Sequence, residues 1–91
     1  MSDPKNPDSP NAQPVLYYSG FCYFCQKVMM FMRQKGIELE TRNTSEREHA
    51  MALRSGGGKT QVPCLLIGEG SNAKWLYESD DIIRYLQANH S

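Results

Sequence analysis

Surplus charge, long apolar runs and metal-binding side chains are all scarce in this 91-residue chain. Ten basic residues balance ten acidic ones. Such a balance sets up no field to draw polyanionic nucleic acid or an anionic membrane surface, and neither is expected as a partner. The longest unbroken apolar runs are about five residues, far short of the roughly 20 that span a bilayer. No charged segment followed by an apolar stretch opens the chain, so export is not expected and a cytoplasmic protein is. Histidine is limited to His49 and His90. Neither has the paired spacing that, with Cys64, would complete a zinc site, and no metal is expected. The three cysteines are an odd number, which argues against a disulfide framework and for free thiols in a reducing compartment.

What is present centres on Cys22-Tyr23-Phe24-Cys25. The pair follows an apolar, β-favouring stretch, Val15 to Tyr18, and precedes a run in which Phe24, Val28, Met29, Phe31 and Met32 recur at helical spacing. A strand should therefore turn into a helix at Cys22. Unpaired N–H groups and the positive end of the helix dipole would favour a thiolate there, so Cys22 is expected to be acidic and nucleophilic. Cys25, one turn further on, would resolve an adduct on Cys22. Cys64 is expected to be a buried apolar filler. Tyr23, between the cysteines, should be exposed to substrate, whereas Phe24 falls on the core side of the helix.

The rest of the chain fits one small domain. Residues 1–14, with four prolines among polar side chains, read as a disordered tail, and 15–91 as the folded domain. Gly36 follows the first helix as a C-terminal cap. Ile37 to Thr41 alternates like a half-buried peripheral strand. Ser45-Glu46-Arg47-Glu48 has the form of a capping box for a short second helix bearing Ala50, Met51 and Leu53 on its apolar face. Val62 to Ile67 and Ala73 to Tyr77 read as a hairpin, and Ser79 as the cap of a last helix with Asp80 and Asp81 in its first turn. The resulting order is β-α-β-α-β-β-α. A right-handed crossover plus a hairpin then gives a four-stranded mixed sheet with three helices, an α/β class.

Cys22-Tyr23-Phe24-Cys25 after the first strand, Gln61-Val62-Pro63 opening the third, and Ser79-Asp80-Asp81 starting the last helix together resemble a glutaredoxin, within the thioredoxin-like fold. Glu78-Ser79 with Val62-Pro63 also resembles the N-terminal domain of glutathione S-transferases, in which an all-helical domain follows. The resemblance implies a cis bond before Pro63 that places Val62 beside Cys22, and a glutathione-dependent thiol–disulfide oxidoreductase with Cys22 and Cys25 catalytic. It also implies glutathione as co-substrate, bound by Tyr23, Gln61, Val62, Pro63, Ser79 and Asp80. The partners would be glutathione and glutathionylated or disulfide-bearing substrates, met by a monomer. Two departures stand out. The lysine that family members carry shortly before the first cysteine is replaced by Ser19 or a neighbour, with Arg42, Lys59 and Gln61 as candidate substitutes. Tyr23 stands where many members have proline, which keeps open an alternative: a carrier or sensor of an iron–sulfur cluster ligated by glutathione and Cys22 from two protomers.

Overall fold

A computed structural model describes residues 14–68 and 72–90. The elements are β1 (Val15–Tyr18), α1 (Tyr23–Lys35), β2 (Glu40–Asn43), α2 (Arg47–Gly57), β3 (Cys64–Ile67), β4 (Lys74–Leu76) and α3 (Ser79–His90). The sheet runs β2-β1-β3-β4. β1 and β2 are parallel, while β3 is antiparallel to both β1 and β4. This is the four-stranded, three-helix thioredoxin-like architecture expected from the element order. Most of the segment read as a tail, and part of the turn between β3 and β4, lie outside the described residues; Pro14 is described and is buried.

Strand alternation sorts the core into two layers. Leu16 pairs with Leu65 and Tyr17 with Cys64. The leucine pair faces α1 and α3, joining Val28, Met32, Ile37, Ile82 and Leu86 in one buried cluster. The tyrosine and cysteine face α2, where they enclose Leu53 together with the half-buried Trp75 and Tyr77. On α1 the buried stripe is Cys25, Val28 and Met32, at positions i, i+3 and i+7.

Several boundaries differ from the sequence pattern: β3 starts at Cys64, after the cis Val62–Pro63 peptide, not at Val62, and β4 is Lys74–Leu76, shorter by one residue at each end than Ala73 to Tyr77. Strand β2 starts at Glu40, not Ile37. Gly36 caps α1 in the left-handed conformation (φ 69°), and the Ile37 N–H donates back to Met32 O at 2.8 Å. In this Schellman cap Ile37 is the hydrophobic residue that folds onto the helix end, so its side chain joins the core before the chain turns extended. The capping box does not form either. Asn43 Oδ1 accepts the Ser45 N–H at 2.9 Å, an Asx turn that delays the helix and leaves Glu46 at its cap without a side-chain bond. Met51 faces solvent while Leu53 is buried, since two residues so close on a helix point in nearly opposite directions.

The C-terminal turn of α2 lies close on β4. A Cβ on Gly56 would run into the Trp75 ring, and one on Gly57 into the Tyr77 hydroxyl. The Trp75 ring cannot retreat freely, because it packs on buried Tyr17 with ring centroids 5.7 Å apart. Gly56→Ala is therefore expected to destabilise the fold by about 1 kcal/mol or more despite alanine's better helix propensity. Gly20→Ala, with open space at its Cβ, should stay within roughly 0.5 kcal/mol. Urea unfolding followed by the fluorescence of Trp75, the one tryptophan, measures both.

Candidate functional site

Three segments distant in sequence meet at the start of α1. The strand β1 delivers Ser19 to Cys22, and Cys22 takes extended backbone (φ −114°, ψ 119°) as the N-cap residue of α1. Its Sγ accepts the Cys25 N–H at 3.2 Å. This is the position a serine or aspartate oxygen would ordinarily fill. The same sulfur lies 3.6 Å from the carbonyl oxygen of Val62, to which it donates. The Val62–Pro63 peptide is cis, as the resemblance implied, and it brings the chain entering β3 against the head of α1.

The cysteines differ in exposure. Cys22 is half-buried, whereas Cys25 and Cys64 are fully buried, and all three are free thiols. Burial is the main cause that pushes the Cys25 thiol up to about 12, with the hydrogen bond to Cys22 adding to it; the Ser19 N–H, 3.4 Å from Cys25 Sγ, acts in the opposite direction. Cys64 is also raised to about 12 by burial, partly offset by a hydrogen bond with Tyr77.

Beside Cys22 runs a cleft of about 120 Å³ lined by Phe24, Gln61, Val62, Pro63, Tyr77, Glu78 and Ser79. Four of the residues expected to meet glutathione, namely Gln61, Val62, Pro63 and Ser79, thus share one wall-to-wall groove. Tyr23 stands outside it and is exposed, in edge-to-face contact with Phe24 at 5.2 Å between centroids. Phe24 is 53% exposed and lines the cleft, contrary to the core position its spacing suggested, because it sits at the margin of the buried stripe in the first turn. Ser79 is buried as the first residue of α3, not the residue before it, and Asp80 beside it is held by Lys27 Nζ at 2.8 Å. That pairing lowers the Asp80 carboxyl and raises the Lys27 ammonium.

Of the three substitutes considered for the absent family lysine, Arg42 is committed elsewhere. It lies on edge strand β2 and bonds Glu40 at 2.7 Å and the Tyr17 hydroxyl at 2.8 Å. Lys59 sits over the Tyr77 ring, 5.0 Å from its centroid, and Gln61 Nε2 donates to Tyr77 O at 3.5 Å. Sequence reasoning missed Lys27 and Tyr77, and it used Glu78 only in the transferase resemblance without giving it a place in the site. Tyr77 closes the cleft and its hydroxyl donates to Lys59 O at 3.3 Å. Among the described residues no group of three or more His, Cys, Asp or Glu side chains gathers as a metal site, and no helix is long and apolar enough to cross a membrane.

Residues 16–91 match the family described as "Glutathione S-transferase, N-terminal domain". Among solved structures, TDR1 of Leishmania, a trimeric glutathione transferase, is similar with a TM-score of 0.65 and 25% identity over 81% of this chain; the chain spans only 17% of that protein. Wheat glutaredoxin gives 0.60 at 24% identity, covering 89% of this chain and 76% of that one. The holo form of glutaredoxin C1 from Populus tremula x tremuloides gives 0.61 at 21% identity, covering 88% and 79%. These two glutaredoxins share the fold. No curated protein matches the sequence.

Because Cys22 alone reaches the surface, iodoacetamide at pH 8 is expected to label it in the native protein and to spare Cys25 and Cys64, as read by peptide mass mapping. A second consequence is a pH dependence. The native state keeps the Cys64 thiol protonated between its ordinary value of 9.0 and about 12, where the unfolded chain releases the proton. Its contribution to stability is present below the lower value and is lost as pH rises through that window. Cys64→Ala should flatten the fall in urea midpoint measured from pH 9 upward.

Proposed function

This chain belongs to the family of glutathione S-transferase N-terminal domains, and from that premise we propose that it is a glutathione-dependent thiol–disulfide oxidoreductase with Cys22 as nucleophile. The observation that carries the reading is the Cys22 sulfur, accessible, capped by a helix N–H and beside the Val62 carbonyl. The Cys25 N–H aimed at the sulfur is a main-chain donor already in place beside the attacking atom. An attacking thiolate also needs its partner disulfide oriented, and the cleft beginning at Val62 supplies the guide.

The reaction runs as two exchanges. Cys22 thiolate attacks a glutathione mixed disulfide at the glutathionyl sulfur; the Cys22–glutathione disulfide forms as the substrate disulfide breaks, and the substrate leaves as a thiolate. A second glutathione thiolate then attacks the glutathionyl sulfur of that adduct, releasing glutathione disulfide and returning Cys22 thiolate. Cys25 takes no necessary part in this route. Its burial, the larger cause of its raised value, persists once Cys22 is capped, so its thiol stays protonated and closes a Cys22–Cys25 disulfide slowly. Glutathione is thus co-substrate. Its cysteinyl backbone pairs with the Val62 main chain as an added strand would, and Ser79 and Asp80 meet the γ-glutamyl end. Tyr23 offers an exposed ring to the outgoing substrate. The catalytic set lies within one chain, and the protein acts as a monomer in the cytoplasm.

Reduction of a glutathionylated peptide, coupled to glutathione reductase, tests the assignment. Cys22→Ser should lower turnover by about a thousandfold or more, since the attacking atom is lost. Cys25→Ser should retain turnover within about threefold. Turnover that survives Cys22→Ser, or that disappears with Cys25→Ser, contradicts the reading.

A further inference from the structure

The absent lysine leaves the question of which cation serves an anionic ligand in this cleft. Helix geometry supplies one from an unexpected place. Phe24 lines the cleft, and Lys27, three residues on, projects from the same side of α1. Ser79 lines the cleft from α3, and Asp80 follows it. The Lys27–Asp80 ion pair, 2.8 Å long, therefore joins the two helices at that end of the groove. Both side chains are accessible, at 42% and 72%.

The acids at the head of α3 explain what the lysine is for. Glu78 lines the cleft, Asp80 follows the lining residue Ser79, and Asp81 is held by Arg84 at 3.0 Å. A ligand carboxylate arriving there would meet Glu78 and Asp80 uncompensated if Lys27 were neutral. An ammonium group alone would find acceptors but would have to displace Lys27. A ligand bearing both groups on one carbon satisfies each member of the pair, its ammonium on Asp80 and its carboxylate on Lys27. An exposed ion pair stabilises the free protein little, so exchanging its partners costs little.

We propose that Lys27 is a specificity-determining residue that, with Asp80, recognises an α-amino-carboxylate zwitterion, the ligand's charges replacing those of the internal ion pair. The inference rests on the reading that the cleft holds glutathione, whose γ-glutamyl end carries such a zwitterion.

The test is binding, so that it does not depend on turnover. S-methylglutathione and S-methyl-cysteinylglycine, which lacks the γ-glutamyl residue, are titrated into the full-length protein and followed by NMR shifts. Wild type should prefer the longer ligand by about fivefold or more. Lys27→Gln should abolish that preference while binding the truncated ligand unchanged, and Lys27→Arg should keep it. Arg84→Gln, which breaks the neighbouring Asp81 pair, serves as the control and should keep it too. A preference that persists in Lys27→Gln, or a wild type that binds both ligands equally, overturns the role of Lys27 with the cleft reading intact. Binding of neither ligand by wild type overturns the cleft reading and the role of Lys27 with it.

Discussion

Helix α1 begins on a sulfur atom, and the site depends on that single contact. The first turn of any helix leaves N–H groups without partners, and an oxygen from serine, threonine or aspartate ordinarily takes one of them. Here Cys22 Sγ takes the Cys25 N–H. One contact thus gives the helix start its acceptor and places a main-chain donor on the sulfur. Where the sulfur sits is in turn fixed by the core. Cys25, Val28 and Met32 are the buried stripe of α1, and Val28 and Met32 pack in the cluster formed around Leu16 and Leu65, so the helix cannot rotate to reposition its cap without unpacking the larger cluster.

Burial divides three chemically identical side chains into one accessible thiol and two enclosed ones. Cys22 sits ahead of the helix, where solvent reaches it. Cys25 is one turn in, beneath Ser19, and Cys64 lies on β3 opposite Tyr17, both removed from water. Desolvation penalises a thiolate, so the last two are held as thiols, while the first keeps its contact with solvent. Tyr77 connects this inner layer to the cleft. It touches the Cys64 thiol below, donates to Lys59 O, and forms part of the groove wall. Gly57 at the end of α2 lets that helix approach the same side chain closely, so the groove's wall is braced from behind.

Much of this was legible in the sequence because it is local. The bounds of β1 and α1 follow from an apolar stretch, a helical period and Gly36. Ile37 was misread because alternation describes a strand equally well as a cap residue folding back, and only the hydrogen bond to Met32 O separates them. The capping box failed because Asn43 claimed the Ser45 N–H first. At the site, Cys22, Cys25, Val62, Pro63 and Ser79 were recoverable from three short motifs. Lys27 was not. Its partner lies 53 positions away, and a charge in the middle of an amphipathic helix looks like solvated surface until α1 and α3 are seen side by side.

The size of the cleft decides where selectivity can come from. At about 120 Å³ it is smaller than the roughly 300–1,000 Å³ pockets that engulf a small molecule, so an extended peptide would lie along it with much of its surface in water. Enclosure then discriminates little. The polar groups around the cleft are the Val62 main chain and exposed charges, with Lys59 above Tyr77 and Lys27 against Asp80. Exposed charges of this kind are screened by salt, whereas the contacts at the Cys22 sulfur are short and local, so binding selectivity and sulfur chemistry should respond differently to ionic strength.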